Sequence, residues 1–341
     1  MGTSRGVLHE RETYIIGMKE GDLFGLGECA PVPGLSMDAV SGLEEKLEQV
    51  CGALCTGATQ AELDLADWPA IRFGVESAFL DVDRCGRQRI FDTPFTTGKS
   101  SIPSNGLIIM SEVPDMLRQV EEKVAAGFKC IKLKVGALEF DTECDLLREI
   151  RREFPADQIE LRLDANGAFT PDSALDKIER LAEFGVHSLE QPIKAGQWQA
   201  MAQICRMSGI PIALDEELIG INSPEAKKDL LQTIQPHYLI LKPTLLGGLA
   251  ATQDWLDVAA ATNTGYWITS IMESNIGHNI LCQWTSTLDT NMAQGLGSGQ
   301  LYRWNFGSPV RLSKGCLHFF AEGYSAQIKD LSELYLRELD G

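Results

Sequence analysis

The sequence lacks the features of membrane proteins and of nucleic-acid-binding proteins. No apolar run is long enough to cross a membrane, and the first residues contain no apolar core of a secretion signal. Basic residues are scarce, since 30 Lys and Arg stand against 48 Asp and Glu and give a net charge of −18. This balance argues against nucleic acid and against anionic membrane surfaces as partners. It is compatible with a small anionic substrate, because a bound cation and a few lysines can reverse the charge locally.

The sequence also lacks a CxxC motif, although it contains nine cysteines. Cys51 and Cys55 lie four residues apart in a helix-like segment, but no second pair completes a zinc site. Scattered cysteines in odd number are typical of reduced, mostly packed thiols. We therefore expect a cytoplasmic protein. The sequence does not indicate an oligomeric state.

The pattern of apolar residues changes near residue 100 and divides the chain into two regions. The first region, residues 1–100, contains two alternating runs that meet at Glu20-Gly21-Asp22 and two helical runs, at 38–55 and 70–84. Strands followed by helices predict a small α+β domain. The tail, from about 308 to 341, contains a turn and a strand, and we expect it to complete this domain.

The second region, residues 101–307, alternates strand-like runs with amphipathic helical runs. Its eight strand-like runs span 106–110, 130–135, 159–164, 186–190, 211–215, 238–242, 266–271 and 292–297. This order predicts an α/β protein with a (β/α)7β barrel of the TIM type, capped by the α+β domain. The alternative, a doubly wound open sheet, requires a GxGxxG turn after its first strand, and none follows residue 110. Gly25 and Gly27 lack the third glycine, and we interpret them as turn residues.

Four charged residues recur at nearly equal intervals through the second region. Asp164, Glu190, Asp215 and Lys242 are separated by 26, 25 and 27 residues, and each closes a short apolar run. A charge at the end of a buried strand is costly unless it finds a partner. In a parallel barrel the carboxyl ends of the strands meet at one rim. We therefore expect these four side chains to converge.

Three converging carboxylates opposed by lysines suit proton abstraction next to a carboxylate. Oxygen-only ligands favour Mg2+ or Mn2+ over zinc. Lys132 and Lys134 lie two residues apart on one strand-like run, so both side chains point to the same face. Two neighbouring ammonium groups are expected to lower the pKa of one of them, which makes it a usable base. Such a site would remove the proton α to a bound carboxylate and stabilise the resulting enediolate.

These residues carry a resemblance to a known family. The motifs KLK (132–134), LDANG (163–167), LEQP (189–192), LDEE (214–217) and LKP (241–243) resemble those of the enolase superfamily, in its muconate-cycloisomerase-like subgroup. Within the subgroup, the chain is most similar to the o-succinylbenzoate synthase family of the Bacteroidetes type. The segments behind this are TSRG (3–6), GLGECAPVPGLS (25–36), SNGLIIM (104–110), ITSIMESNIGHN (268–279) and GLGSGQL (295–301).

The resemblance implies a reaction and a set of roles. It implies Mg2+-dependent syn dehydration of 2-succinyl-6-hydroxy-2,4-cyclohexadiene-1-carboxylate to o-succinylbenzoate, in menaquinone biosynthesis. Lys134 would remove the α proton and return a proton to the leaving hydroxide, Lys242 would stack on the ring, and Lys132 would contact the substrate carboxylate. The implied metal ligands are Asp164, Glu190 and Asp215, supported by Asn166 and Glu216.

Further residues are candidates for substrate contacts. Arg162 lies two residues before Asp164 and so shares its inward face. Candidates in the loop after the seventh strand-like run and at the eighth are Glu273, Ser274, Asn275, Gly295, Gly297 and Ser298. The last three would present backbone N–H groups to the succinyl carboxylate.

Two other enzymes of the superfamily remain alternatives, namely an N-acylamino-acid racemase and a dipeptide epimerase. Both would use a lysine on each side of the α carbon. Dipeptide epimerases carry a DxD motif near strand eight, whereas this sequence has NMAQGLGSG (291–299) without an acid. A non-catalytic scaffold is disfavoured, because every charged position of the site is present.

Overall fold

The computed structural model describes residues 2–3, 6–7, 10–297, 302 and 305–320. The strands are β1 Gly2–Thr3, β2 Gly6–Val7, β3 Tyr14–Glu20, β4 Leu23–Cys29, β5 Ile102–Pro103, β6 Gly106–Leu107, β7 Cys130–Lys134, β8 Glu160–Asp164, β9 Ser188–Glu190, β10 Ile212–Leu214, β11 Tyr238–Leu241, β12 Gly265–Ile268, β13 Val310–Ser313 and β14 Cys316–Phe319. The α-helices are α1 Leu43–Cys55, α2 Pro69–Asp83, α3 Val113–Ala125, α4 Phe140–Glu153, α5 Pro171–Ala182, α6 Trp198–Met207, α7 Pro224–Ile234, α8 Pro243–Leu246, α9 Gly248–Thr262 and α10 Asn275–Thr285.

The first region forms the predicted strands and helices. β3 and β4 pair antiparallel, with Glu20 opposite Leu23, and Gly21 takes a positive φ of 59° in the turn between them. The interpretation of Gly25 and Gly27 as turn residues is wrong, since both lie within β4. A β-carbon on Gly27 would lie 1.8 Å from the carbonyl oxygen of Gly74 in α2. The glycines therefore allow helix α2 to approach the strand closely.

The second region is built on a parallel sheet. Among the described residues, seven strands pair in the order β6-β7-β8-β9-β10-β11-β12, which is their order along the chain. Helices lie between successive strands, and their apolar residues pack with those of the strands in one large core. Lys134 pairs with Asp164, and Asp164 with Glu190, so these three residues lie at the same level of the sheet. The parallel arrangement brings the carboxyl ends of the strands to one edge.

The eighth predicted strand forms single bridges at Gln294 and Gly295 instead of a regular strand. On one side, Gly295 N donates to Ile268 O at 2.8 Å, and Ser270 N donates to Gly295 O at 3.0 Å. On the other side, Asn105 N donates to Gln294 O at 2.9 Å. This segment therefore connects β12, at one end of the sheet, with the residues that precede β6 at the other.

The described part of the tail lies beside the start of the second region. β13 and β14 form a hairpin, and β14 pairs antiparallel with β5 at residues 102 and 103. Among the described residues, the hairpin therefore pairs with the start of the second region and not with the β3–β4 sheet. The expectation that the tail completes the α+β domain stays a prediction. Phe319 packs edge-on against Phe95. Residues 321–341 lie outside the described part. Within the described residues, no helix is long and apolar enough to span a membrane.

Candidate active site

Six charged side chains converge at the carboxyl edge of the parallel sheet. We call this set the rim cluster, and its members are Lys132, Lys134, Asp164, Glu190, Asp215 and Lys242. The three carboxylates come from β8, from β9 and from the residue after β10, and each is at most 3% exposed. The expected convergence of Asp164, Glu190, Asp215 and Lys242 is therefore what the structure shows. The geometry follows from four neighbouring parallel strands that each end in a charge at the same edge of the sheet, with Asp215 two residues further along its strand than the level of Glu190.

Lysines neutralise these carboxylates from both ends of the row of strands. Lys132 Nζ lies 3.0 Å from Asp164 Oδ2 and 2.7 Å from Glu190 Oε2. Lys134 Nζ lies 3.6 Å from Asp164 Oδ2. Lys242 follows β11 and pairs with Asp215 Oδ2. Lys134 and Lys242 thus approach the carboxylates from β7 and β11, which are separated by three strands in the sheet.

The pKa values reflect a buried cluster with strong internal charge pairing. For Glu190, burial and the neighbouring Asp164 raise the pKa to about 8. For Asp164, burial opposes ionisation, but Lys132, Lys134 and Lys242 outweigh it and lower the pKa. Burial also opposes the charge of Lys132, yet the carboxylates outweigh it and raise the pKa. The expectation that one lysine of this pair has a lowered pKa stays a prediction, and Lys132 is not that lysine.

The donor set of the rim cluster suits a hard divalent cation. Three carboxylates supply oxygen ligands alone. Among the described residues, Glu190 Oε1 is buried without a hydrogen-bond partner. No group of three or more His, Cys, Asp or Glu side chains in this part of the chain is already arranged around a metal position. The ammonium group of Lys132 instead bridges Asp164 and Glu190. The carboxylates fit a cation chemically, and binding would require the lysines to give up part of this pairing.

Asn166 and Glu216 connect the lysine on β7 to the carboxylates. Lys134 Nζ donates to Asn166 Oδ1, and Asn166 Nδ2 donates to Glu216 Oε1 at 3.1 Å. Asn166 N donates to Asp164 Oδ1 at 2.9 Å. Asn166 has a positive φ of 43°, which asparagine tolerates better than most residues. This backbone conformation turns the side chain towards Lys134.

Our sequence reasoning missed Gln191, which is buried directly after Glu190. Its Oε1 accepts from Asp215 N at 3.1 Å, and its Nε2 donates to Glu217 Oε2 at 3.1 Å. Gln191 therefore ties the end of β9 to the end of β10. The sequence does contain a signal for this role. Gln191 lies between a Glu that ends a strand and a proline, and a buried glutamine at that point requires hydrogen-bond partners.

Arg162 points inward as expected, but its bonds run away from the rim cluster. Its Nε lies 2.7 Å from Glu160 Oε1, its Nη1 donates to Ala293 O at 2.8 Å, and its guanidinium lies 4.1 Å from the Trp267 ring centre. We call this neighbourhood the lower layer, and its members are Glu160, Arg162, His187, Tyr238 and Trp267. Contact between Arg162 and substrate stays a prediction.

Three polar side chains in or directly after the loop that follows β12, residues 269–274, bind partners within the protein. We call this loop the β12 loop. Glu273 Oε1 accepts from Thr244 Oγ1 at 2.6 Å. Ser274 Oγ donates to Glu28 Oε2 at 2.6 Å, and Asn275 Nδ2 donates to Phe306 O. Substrate contacts by Glu273, Ser274 and Asn275 therefore stay predictions, and these groups would first have to leave the partners they have.

Of the backbone N–H groups predicted to bind substrate at strand eight, that of Gly295 already has a partner in the protein. The N–H group of Gly295 donates to Ile268 O at 2.8 Å, so it is used in the sheet and does not face a ligand. A β-carbon on Gly295 would lie 2.4 Å from Thr269 Oγ1, which explains the glycine by packing. For Gly297 the prediction stands, and Ser298 lies outside the described residues.

Comparison with known proteins places the chain in a family. A family model described as enolase C-terminal domain-like matches residues 115–331, which is more than half of the chain. The chain belongs to the enolase superfamily. A second model, described as MenC, N-terminal domain, matches residues 4–82. This superfamily membership agrees with the α/β fold and the parallel sheet described above.

The similar proteins within the superfamily include synthases and racemases. An o-succinylbenzoate synthase from Desulfotalea psychrophila is 40% identical over 347 residues, which cover 93% of this chain and 94% of that protein. The crystal structure of MenC from D. psychrophila has a TM-score of 0.80 at 38% identity and covers 90% of this chain and 94% of that chain. An N-succinylamino acid racemase from an Amycolatopsis species is 28% identical and covers 71% of this chain and 64% of that protein.

Proposed function

We propose that this member of the enolase superfamily is a lyase that dehydrates 2-succinyl-6-hydroxy-2,4-cyclohexadiene-1-carboxylate to o-succinylbenzoate, a step of menaquinone biosynthesis. The observation that carries the proposal is the rim cluster, in which three buried carboxylates lie between lysines from β7 and β11. The 40% identity to a synthase along nearly the whole chain selects this reaction among those of the superfamily.

We infer that the second region is a (β/α)7β barrel capped by the first region. The parallel order of seven strands and the bonds of Gln294 and Gly295 to both ends of the sheet support a closed ring. The proposed domains are 1–100 for the cap and 101–307 for the barrel. The pairing of β14 with β5 suggests that at least residues 310–319 belong with the barrel.

We propose that Asp164, Glu190 and Asp215 hold Mg2+, with Mn2+ as a substitute. The buried oxygen ligands and the Glu190 Oε1 atom without a partner among the described residues support this assignment. Once bound, the cation would neutralise the negative charge that develops on the substrate carboxylate as the α proton leaves. Lys132 would remain close enough to that carboxylate to share the task. The substrate is thus a small anionic carboxylate.

Lys134 is the proposed base. Its ammonium group is held by Asn166 Oδ1 and lies near Asp164, at the edge where the α carbon would approach the carboxylates. In its neutral form, Lys134 Nζ would take the α proton. The electrons of that C–H bond would move onto the substrate carboxylate as an enediolate. They would then form the new ring double bond as hydroxide leaves the adjacent carbon, and Lys134 would return its proton to the hydroxide to release water. One group acting on one face explains a syn elimination.

Lys242 would act on the other face of the ring. It enters from β11 and pairs with Asp215 Oδ2. Burial opposes the charge of Lys242, but the carboxylates of Asp215 and Glu190 outweigh the burial and raise its pKa, so it should stay charged. A charged ammonium over the developing aromatic ring is a favourable cation–π contact. Lys242 would therefore stabilise the ring while Lys134 moves the proton.

A direct assay tests this function. The purified protein should form o-succinylbenzoate from the cyclohexadiene substrate, followed by the change in ultraviolet absorbance, in the presence of Mg2+ and not after EDTA treatment. Restoration by added Mg2+ controls for damage by the chelator. Absence of product with Mg2+ present and the protein folded would overturn the proposal.

Racemisation of N-acylamino acids is a second candidate. It is favoured by the approach of Lys134 and Lys242 from two separated strands and by the similarity to a racemase. A test is the exchange of the α proton of N-succinyl amino acids in D2O for both enantiomers. Dipeptide epimerisation is disfavoured, because residues 291–297 contain no acid that could hold a substrate ammonium.

A further inference from the structure

Two carboxylates of the first region contact the second region, where they bind the starts of two helices. Glu28 lies on β4 and is fully buried, and Glu76 lies on α2. Their acceptor atoms bind backbone N–H groups at the first turns of α10 and α9. A carboxylate at a helix N-terminus satisfies N–H groups that have no partner within the helix, and it interacts favourably with the helix dipole.

Glu28 anchors the point where the β12 loop enters α10. Its Oε1 accepts from Ser274 N at 2.7 Å. Its Oε2 accepts from Ser274 Oγ at 2.6 Å and from Gly277 N at 2.7 Å. A β-carbon on Gly277 would lie 2.8 Å from that oxygen, so the glycine makes room for the carboxylate. Every recorded partner donates, which is the pattern that an ionised carboxylate satisfies.

The β12 loop in turn holds the segment that begins with Lys242. The residue before Ser274 is Glu273, whose Oε1 accepts from Thr244 Oγ1 at 2.6 Å. Thr244 is buried and lies two residues after Lys242, in helix α8. A continuous path of hydrogen bonds and peptide bonds therefore runs from Glu28 to the lysine of β11.

Glu76 anchors the other end of the same segment. Its Oε2 accepts from Leu249 N at 2.6 Å, and its Oε1 accepts from Ala250 N at 2.9 Å. A β-carbon on Gly248 would lie 2.1 Å from Glu76 Oε2. The segment 242–250 is thus held through Thr244 near its start and by Glu76 near its end.

We propose that Glu28 and Glu76 are positioning residues by which the first region fixes the placement of Lys242 over the site. The proposal rests on the proposed function, in which Lys242 acts on the reacting ring. Neither carboxylate touches the rim cluster in the contacts described above, so both act through the backbone of the β12 loop and of segment 242–250. The first region would then support catalysis by holding Lys242 in place with its buried carboxylates, in addition to covering the site.

Substitution of each carboxylate by its amide provides the test. In Glu28→Gln, one oxygen becomes an NH2 group that faces Ser274 N or Gly277 N, so donor meets donor while the size is unchanged. Glu76→Gln creates the same conflict at Leu249 N or Ala250 N. Glu28→Asp keeps the charge and should retain part of the activity that Glu28→Gln loses. The matched control is Asp38→Asn, because Asp38 is a buried carboxylate that accepts from Ala70 N and Ile71 N within the first region.

Steady-state kinetics at a temperature where all variants are folded give the first readout. A displaced Lys242 should lower kcat about tenfold or more in Glu28→Gln, with KM within about twofold, since the lost interaction belongs to the transition state. Glu76→Gln should show the same pattern, and Asp38→Asn should leave kcat unchanged. An unchanged kcat in both glutamine variants would overturn the proposal.

Amide hydrogen exchange gives a readout that does not depend on turnover. In both glutamine variants, peptides that cover 243–250 and 269–277 should exchange at least about tenfold faster than in the wild type, and in Asp38→Asn they should not. Wild-type exchange in both segments would overturn the positioning role. If the wild-type protein makes no o-succinylbenzoate, the proposed function fails, and hydrogen exchange by itself then decides whether the two carboxylates hold Lys242.

Discussion

The rim cluster and the lower layer both place charged side chains on the inward face of the same strands, but they pair them differently. In the lower layer, the guanidinium of Arg162 is held by Glu160, by a backbone carbonyl and by the ring of Trp267. In the rim cluster, Lys132 is shared between two carboxylates, and within the described residues Glu190 Oε1 is left without a partner. Arg162 Nη2 also lacks a hydrogen-bond partner among these residues, but it is a donor and cannot bind a cation, whereas a spare carboxylate oxygen can. The lower layer therefore serves mainly the fold.

The largest expected effect is the loss of the proposed base. Lys134→Ala should lower the rate of dehydration about 10²–10⁴-fold, because no other group moves the α proton on that face. Lys129→Ala, at an exposed lysine just before β7, is the control and should keep wild-type activity. Rates are measured by o-succinylbenzoate formation, with circular dichroism to show that both variants are folded. Substantial turnover by Lys134→Ala would remove its role as base.

The second prediction separates the two layers by their response to a metal. Mg2+ at about 100 times its Kd should stabilise the wild type by about 2.7 kcal/mol. Glu190→Gln should lose most of this stabilisation, and Glu160→Gln should retain it because Glu160 belongs to the lower layer. Thermal unfolding with Mg2+ and with EDTA is the measurement. Equal Mg2+ effects in the two variants would contradict the assignment of the cation to the rim cluster.

Breaking the lower layer should cost stability and leave the chemistry intact. Arg162→Met leaves Glu160, whose side chain is 34% exposed, without its cation, and we expect a loss of about 1.5–3 kcal/mol in the free energy of unfolding. The double variant Glu160→Gln/Arg162→Met should recover part of this loss, since it removes both charges. Urea unfolding measures the effect. A large loss of kcat in folded Arg162→Met would instead support the predicted substrate contact.

The smallest expected change per measured step is the pH dependence of the metal-free protein. The pKa of Glu190 is raised from 4.5 to about 8 in the folded state. The stability that this group contributes is therefore fully present below about pH 4.5 and is lost as the pH rises through about 8, by at most about 1.4 kcal/mol per pH unit. Melting temperatures between pH 5 and 9 in EDTA should fall more steeply for the wild type than for Glu190→Gln. Parallel curves would show that Glu190 does not titrate in this range.

Much of the site followed from the order of residues along the chain. Four charges that end apolar runs at nearly constant intervals predict convergence, because a parallel sheet brings the ends of its strands to one edge. Lys132 and Lys134 share a face by the two-residue repeat of a strand. The same repeat put Arg162 inward, but it did not reveal that the guanidinium turns towards Glu160 and Trp267.

The remaining features depend on contacts between distant parts of the chain. No local sequence pattern predicts these contacts, because each joins residues far apart in the chain. They are the pairing of β14 with β5, the hydrogen bond from Gly295 N to Ile268 O and the hydrogen bonds between Ser274 and Glu28. For the same reason, local spacing does not reveal that the pKa of Lys132 is raised, because carboxylates from the ends of three neighbouring strands outweigh its burial.

The amino-acid order by itself determined the strand and helix succession, the inward face of each strand and the identity of the charges at the rim, because these follow from periodicity within short segments. The tertiary structure decided which charges pair, which remain available for a cation and how the first region reaches the helices that follow β11 and β12. Those outcomes depend on distances of a few ångströms between groups far apart in the chain. Burial excludes water and so weakens its screening, which makes the interaction energies of these charges depend strongly on the distances.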